Sequence, residues 1–165
     1  MLTGLAHTAV CVPDVRAATR WYADVLGLAV LSPPYRMEGE QIEHDMGELL
    51  PSPVVATAAI VGFGVDDRVI ELIEYPAAGV APVPARTGGS SVARIGITHV
   101  GMLCDDIATT RAELEGRGVE FLTTGIADVA GLETTWCHDP WGTVIILLQK
   151  SRGDRPYWGQ LMAPI

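Results

Sequence analysis

The segment HTAVCVPDVRAATRWYADVLGLAVL, which begins at His7, returns in pattern 92 residues later as HVGMLCDDIATTRAELEGRGVEFL from His99. An internal repeat constrains the fold more than any composition does, because each copy must be one supersecondary unit. In each copy a short apolar run leads to an acidic turn, an amphipathic stretch, a glycine and a second apolar run. Residues 5–12 are short, apolar and partly β-branched, which predicts a strand. Asp14 and Asp106 stand one residue before the helical pattern, where an N-cap belongs. Val15, Ala18, Tyr22, Val25 and Leu26 recur at three and four residues and predict one apolar helix face. In the second helix Ile107, Leu114 and Val119 form a thinner apolar stripe, with Arg111, Glu113, Glu115 and Arg117 as the wet side. Gly27 and Gly118 supply the left-handed residue that ends each helix.

Each copy closes on a matched strand, VIELIEY at Val69–Tyr75 and TVIILLQ at Thr143–Gln149. The second follows HDPWG (His138–Gly142), whose Asp-Pro and Trp-Gly pairs predict a hairpin turn. The pattern therefore predicts an α+β chain of two βαβββ modules. Residues 1–80 form the first, 81–96 a linker, 97–150 the second, and 151–165 a tail. The linker lies in the Pro-, Gly- and Ser-rich stretch Ala77–Gly96. Pro33–Pro53, bounded by prolines and strongly acidic, breaks the symmetry. It is expected to be an inserted loop with a short helix around Glu38–Leu49 and a role as a lid or binding loop.

Composition closes off several function classes. The 165 residues carry a net charge of -9 with 48% hydrophobic residues, so the chain should repel phosphate backbones and anionic lipid and engage neither nucleic acid nor membrane. The opening MLTGLAHTAVCV lacks the basic and apolar regions of a signal peptide, and no apolar run reaches about 18 residues. Three widely spaced cysteines, Cys11, Cys104 and Cys137, give no disulfide framework. A reducing, cytoplasmic location is the expectation.

Side-chain alternation along strands places His7, Ala9 and Cys11 on one face, Glu71, Ile73 and Tyr75 on another, and His99, Gly101 and Leu103 on a third. A histidine inside an apolar strand loses solvation unless something pairs with it. Two histidines at equivalent repeat positions and a glutamate inside VIEL thus share one reason to be there: a divalent metal, Zn, Fe, Mn, Ni or Co, with open positions. Cys11 is expected to be a small buried filler, and Glu74 a solvated or ion-paired surface group. His138 is assigned to the turn, with a fourth-ligand role as the alternative, and His44 to the solvent. Trp21 is expected to pack in the core or at an interface. The apolar tail around Trp158 is expected to dock on the domain or on a second subunit. Arg36 is a candidate partner for a substrate carboxylate.

HTAVCVPDVRAATRWYADVLGL, VIELIEY, HVGMLCDDI and DPWG together resemble the vicinal oxygen chelate superfamily, which includes glyoxalase I, methylmalonyl-CoA epimerase, extradiol dioxygenases and fosfomycin or bleomycin resistance proteins. The likeness spans about residues 3–150. It implies paired βαβββ modules forming a curved mixed sheet around a central cleft, often in a homodimer. It also implies a metal held from the first and last strand of each module. Carried over, those positions are His7, Glu71, His99 and Ile146, and the isoleucine departs from the glutamate of glyoxalase I-like members. The implied site has three protein ligands, unless His138 or water completes it, and lacks the two-carboxylate proton shuttle. The resemblance implies a lyase or isomerase acting on a small oxygenated substrate through a metal-stabilised enolate, with Glu71 as ligand and base. The alternatives are an Fe(II) extradiol-type dioxygenase and a metal-free small-molecule binding or resistance protein.

Overall fold

The computed structural model describes residues 1, 4–64, 68–76, 95–129, 131–156 and 159–160. The chain divides into two compact units, Met1–Pro82 and Val83–Ile165. The expected linker at 81–96 falls almost wholly outside the described residues.

The first unit runs β1 (His7–Cys11), α1 (Val15–Asp24), β2 (Ala29–Glu38), α2 (Glu40–Met46), β3 (Val55–Gly62) and β4 (Val69–Glu74). Its four strands form one mixed sheet in the order β1-β4-β3-β2, with β1 and β4 parallel. The second unit repeats the plan with β5 (Val100–Leu103), α3 (Ile107–Gly116), β6 (Ala127–Val129), β7 (Leu132–His138) and β8 (Val144–Lys150), ordered β5-β8-β7-β6. These are the two βαβββ modules that the repeat predicts.

Local chemistry sets the helix ends. The Asp14 carboxylate accepts the Ala17 N–H at 2.8 Å, and Asp106 accepts the Thr109 N–H at 2.8 Å, so both predicted caps satisfy an otherwise unpaired helix donor. Gly27 (φ 77°) lets the Leu28 N–H reach back six residues to the Tyr22 carbonyl, a turn that a side chain at Gly27 would strain. Val15, Ala18 and Tyr22 of α1 are buried, as are Val10, Ile70, Leu72, Ala59 and Val61 of the strands. These form the helix-covered side of the first sheet. Its other side carries a smaller cluster of Ala56, Ala58 and Ile73, on which Met37 and Tyr75 pack.

Four expectations change. Pro33–Glu38 is not loop but the outer half of β2. An edge strand tolerates prolines, because it has a free side that needs no donor, and the pairing shifts register between Ser32 and Tyr35, where they sit. The helix of the insertion is confined to Glu40–Met46. The second strand expected directly after Gly118 is reduced to a single bridge, Phe121 to Cys137, and the paired strand is the later β6. Arg111 is not on a wet face. Its guanidinium donates to the Thr135 hydroxyl and, at 2.9 Å, to the Thr123 carbonyl. It also lies 4.2 Å from the Phe121 ring centroid. Arg111 follows Ile107 by four residues and precedes Leu114 by three, so helical spacing itself puts it on the inner stripe.

Of the tail, Gln160 is buried, and its amide bonds Arg152 through both backbone groups at 2.8 and 2.9 Å. The tail's described part thus folds back on its own unit, while Trp158 lies outside the described residues. The cysteines are free. Within the described residues no helix is long and apolar enough to cross a membrane.

Candidate metal centre

Parallel pairing of β1 with β4 sets Ala9 against Glu71 and His7 against Val69. His7 and Glu71 are therefore diagonal neighbours on one face, the face turned away from α1. His7 Nε2 stands 3.4 Å from Glu71 Oε2, with the imidazole about half exposed (48%) and the carboxylate largely buried (16%). That distance is long for a hydrogen bond. It matches two donor atoms sharing one ion, since ligands at about 2.0–2.2 Å from a metal stand roughly 3.0–3.5 Å apart. The donor chemistry, one imidazole and one carboxylate, also suits a divalent cation.

The second unit repeats the frame with different contents. Gly101 pairs with Ile146 in parallel register, as Ala9 does with Glu71. Ile146 thus holds the place of Glu71, and His99, one residue before β5, holds the place of His7. Among the described residues its Nδ1 lies 2.7 Å from the Thr98 hydroxyl. A ring nitrogen engaged in this way orients the imidazole and leaves Nε2 as the ring nitrogen for any further partner. The His99 ring also meets Trp136 edge to face, centroids 4.9 Å apart. Of the three predicted ligands, then, the fold brings His7 and Glu71 together, and His99 belongs to the other unit. Among the described residues no three His, Cys, Asp or Glu side chains form a group that could hold an ion.

Other candidates resolve in various ways. Cys11 is exposed on the His7 face and is not a buried filler, because β1 is an edge strand whose outer face α1 does not cover. Glu74 alternates away from Glu71 as expected, but it is not a surface charge. Its carboxylate accepts the Val15 N–H at 3.0 Å, and Gln149 accepts the Ile107 N–H at 2.6 Å in the same place of the second unit. The signal was present in the repeat, since both residues stand three after the Glu71 and Ile146 positions. Arg36 pairs with Thr57 and so lies on the face opposite Tyr35 and Met37. Its guanidinium is 2.8 Å from Glu38. Charge pairing on the wrong side of the sheet removes it as a partner for a substrate at Glu71.

His138 keeps to the turn. Its Nδ1 donates to the Asp139 carbonyl at 2.6 Å, and its Nε2 is 3.7 Å from Glu120. The turn predicted at Asp-Pro is organised by the Asp139 side chain. Its buried carboxylate accepts the Trp141 and Thr143 N–H groups at 2.9 and 2.7 Å. His44 is exposed at the end of α2, as expected. Desolvation lifts four groups above their ordinary pKa values, the Cys104 thiol among them. Cys137 is pushed up to about 11, chiefly by desolvation. Cys11, though exposed, is raised by partial desolvation of its thiol, and the Tyr75 phenol by burial and then by the neighbouring Cys11 and Glu71.

The comparisons agree with the architecture. The family model described as Glyoxalase/Bleomycin resistance protein/Dioxygenase superfamily matches residues 4–147. A glyoxalase family protein from Bacillus cereus is 16% identical at a TM-score of 0.69, over 90% of this chain and 95% of that one. The trypanothione-dependent glyoxalase I of Leishmania major is 19% identical at a TM-score of 0.59, over 90% and 88%. Glyoxalase I of Zea mays is 17% identical at a TM-score of 0.61, over 93% of this chain and 47% of that one. At these identities the solved structures share the fold. No curated protein sequence matches the chain. Two modules of one topology, a His–Glu pair across the parallel strands of the first, and a family match over residues 4–147 lead to one statement: the chain belongs to the Glyoxalase/Bleomycin resistance protein/Dioxygenase superfamily.

Proposed function

We propose that the protein is a divalent-metal enzyme of the lyase or isomerase kind, acting on a small molecule with two vicinal oxygens. The observation that carries this reading is the His7–Glu71 pair at 3.4 Å on the face of the first sheet away from α1. His7 and Glu71 would hold the metal, with His99 as the third ligand through Nε2. When bound, the ion would supply Lewis-acid polarisation of the substrate oxygens and stabilise developing negative charge. Glu71 is the one carboxylate at the pair, and in this reading its second oxygen takes the proton beside the polarised carbonyl. Ile146 offers no second base, so the proposed chemistry moves a proton on one face only, which disfavours a two-base shuttle.

The test is metal analysis of chelator-free protein, followed by reloading with Zn, Mn, Ni, Co and Fe(II). A stoichiometry near one per chain is expected, with His99→Ala lowering it sharply. A ratio near zero that reloading leaves unchanged overturns the reading in favour of a metal-free binding protein. Oxygen uptake with a catechol after anaerobic iron loading replaces the lyase assignment with ring-cleaving chemistry. A cytoplasmic homodimer is the proposed working form, and sedimentation of the purified chain at the monomer mass excludes the dimer.

A further inference from the structure

The two repeat histidines are held by different means. His7 faces the Glu71 carboxylate at 3.4 Å. At His99 the place of that carboxylate is filled by Ile146, which pairs with Gly101, and an aliphatic side chain neither donates nor accepts a hydrogen bond. Two neighbours within the second unit take over. The Thr98 hydroxyl lies 2.7 Å from His99 Nδ1. The Trp136 indole meets the imidazole edge to face, with 4.9 Å between centroids and 76° between planes. Trp136 is itself fixed: its N–H donates to the Thr123 hydroxyl at 3.2 Å, and its carbonyl accepts the Leu122 N–H at 2.7 Å. The Thr123 hydroxyl in turn stands 3.1 Å from that of Thr135, which accepts from the Arg111 guanidinium. A bonded network thus backs the wall on which His99 leans. The imidazole is exposed, and without these contacts it would turn among its rotamers.

A neutral imidazole has one N–H and one lone pair. Thr98 and Trp136 fix the ring, so what is left to decide is where its proton sits. A threonine hydroxyl can accept from Nδ1–H, which leaves the lone pair on Nε2. It can also donate to Nδ1, which leaves Nε2 protonated and unable to bind a cation. In the first unit Nε2 is the nitrogen that His7 turns to its partner, and the repeat gives His99 Nε2 the same part. We propose that Thr98 and Trp136 are positioning residues for His99: the Thr98 hydroxyl accepts the Nδ1–H, Trp136 sets the plane of the ring, and Nε2 is presented with its lone pair. What Nε2 binds rests on the metal reading above; the tautomer and the ring orientation do not.

The experiment uses the metal-free full chain with isotope-labelled histidine, at a pH where imidazole is neutral. Proton–nitrogen NMR correlations separate the protonated from the lone-pair nitrogen in each ring, and His99→Gln assigns the signal. In the wild type His99 should be in the Nδ1–H form, with its ring protons shifted by the indole. Thr98→Ser should keep that form. Thr98→Val, close in shape, should return the ring to the Nε2–H form that an unassisted imidazole prefers, and Trp136→Leu should remove the ring-current shift. Titration with Zn(II) then reads Nε2: Thr98→Val should need about tenfold more Zn(II) than the wild type to move the His99 signal, the lower end of what such a partner is worth. A merely structural Thr98 would change the melting temperature and leave the tautomer alone. A wild-type His99 in the Nε2–H form, or a Thr98→Val variant that keeps Nδ1–H, overturns the proposal. A His99 signal that Zn(II) leaves unmoved, with the tautomer as expected, overturns the metal reading and leaves the positioning of His99 standing.

Discussion

The two halves have one frame and two fillings. Along the edge strand and the inner strand parallel to it, the first half carries His7, Glu71 and Tyr75, and the second carries His99, Ile146 and Lys150 at equivalent positions. On the helix side the first half buries Thr19, whose hydroxyl bonds the Val15 carbonyl at 2.6 Å. The second half, 92 residues on, has Arg111 reaching across to Thr135 and Thr123. Where the first half has the buried Val61 opposite Ile70, the second has the buried Cys137 opposite Ile145. The backbone plan tolerates these exchanges because helix caps, glycine stops and strand pairing are kept. What differs is which side chains the two halves carry at equivalent positions.

The largest expected effect tests that asymmetry directly. Glu71→Gln should weaken metal affinity by more than about 100-fold, beyond what loss of an outer-shell partner costs. Ile146→Gln should leave metal affinity within about threefold and show its effect in stability. Isothermal titration with Zn or Co on both variants checks it, and equal losses in the two would erase the distinction between the halves.

Next comes Arg111→Ala, which removes a guanidinium whose partners lie partly buried; unfolding by urea should show a loss of about 3 kcal/mol. Thr19→Ala, its counterpart, should lose only about 1 kcal/mol, because a single short-range bond and little volume go.

The third prediction concerns alkali. Cys137 in the folded chain titrates at about 11 against an ordinary 9.0, so the unfolded chain loses this proton first. Folding stability should therefore fall as pH rises from about 9 to about 11, by up to about 2–3 kcal/mol. Cys137→Val imitates the first half at Val61 and should flatten that part of the stability–pH curve. A slope unchanged in the variant would assign it to other groups.

The smallest effect separates charge from hydrogen bonding at the helix starts. Glu74→Ala and Gln149→Ala should each cost about 1 kcal/mol, the worth of a lost cap. Glu74→Gln should cost less than about 0.5 kcal/mol, since Gln149 already does the same work as a neutral amide, and the difference measures the carboxylate's interaction with the helix dipole. Thermal melts at low and high salt resolve the two.

Much of this frame was legible because it is local. Asp14, Asp106, Gly27 and Gly118 act within a few residues of themselves, and the repeat doubled every signal. The site was legible in part. His7 and Glu71 could be placed on shared faces by alternation, and parallel register then made them neighbours. Cys11 and Pro33–Glu38 were misjudged because both depend on which strands lie at a sheet edge, a property that no single strand carries. Arg111 was misjudged because a charged residue on a weakly apolar helix looks solvated until its acceptors arrive from Thr123 and Thr135. Asp139 was assigned to the turn, but its side-chain acceptor role appears only when the turn closes.

By itself the sequence determined the twofold plan, the helix ends and the DPWG turn, since these follow from spacing and from neighbours close along the chain, while the family resemblance implied the departure at Ile146. Only the tertiary structure decided that Glu74 and Gln149 hold helix starts, that Arg36 faces away from Glu71, and that His7 Nε2 stands 3.4 Å from Glu71 Oε2. Each of these depends on strand register and edge position, which are set by pairing between segments tens of residues apart and by the burial that comes with it.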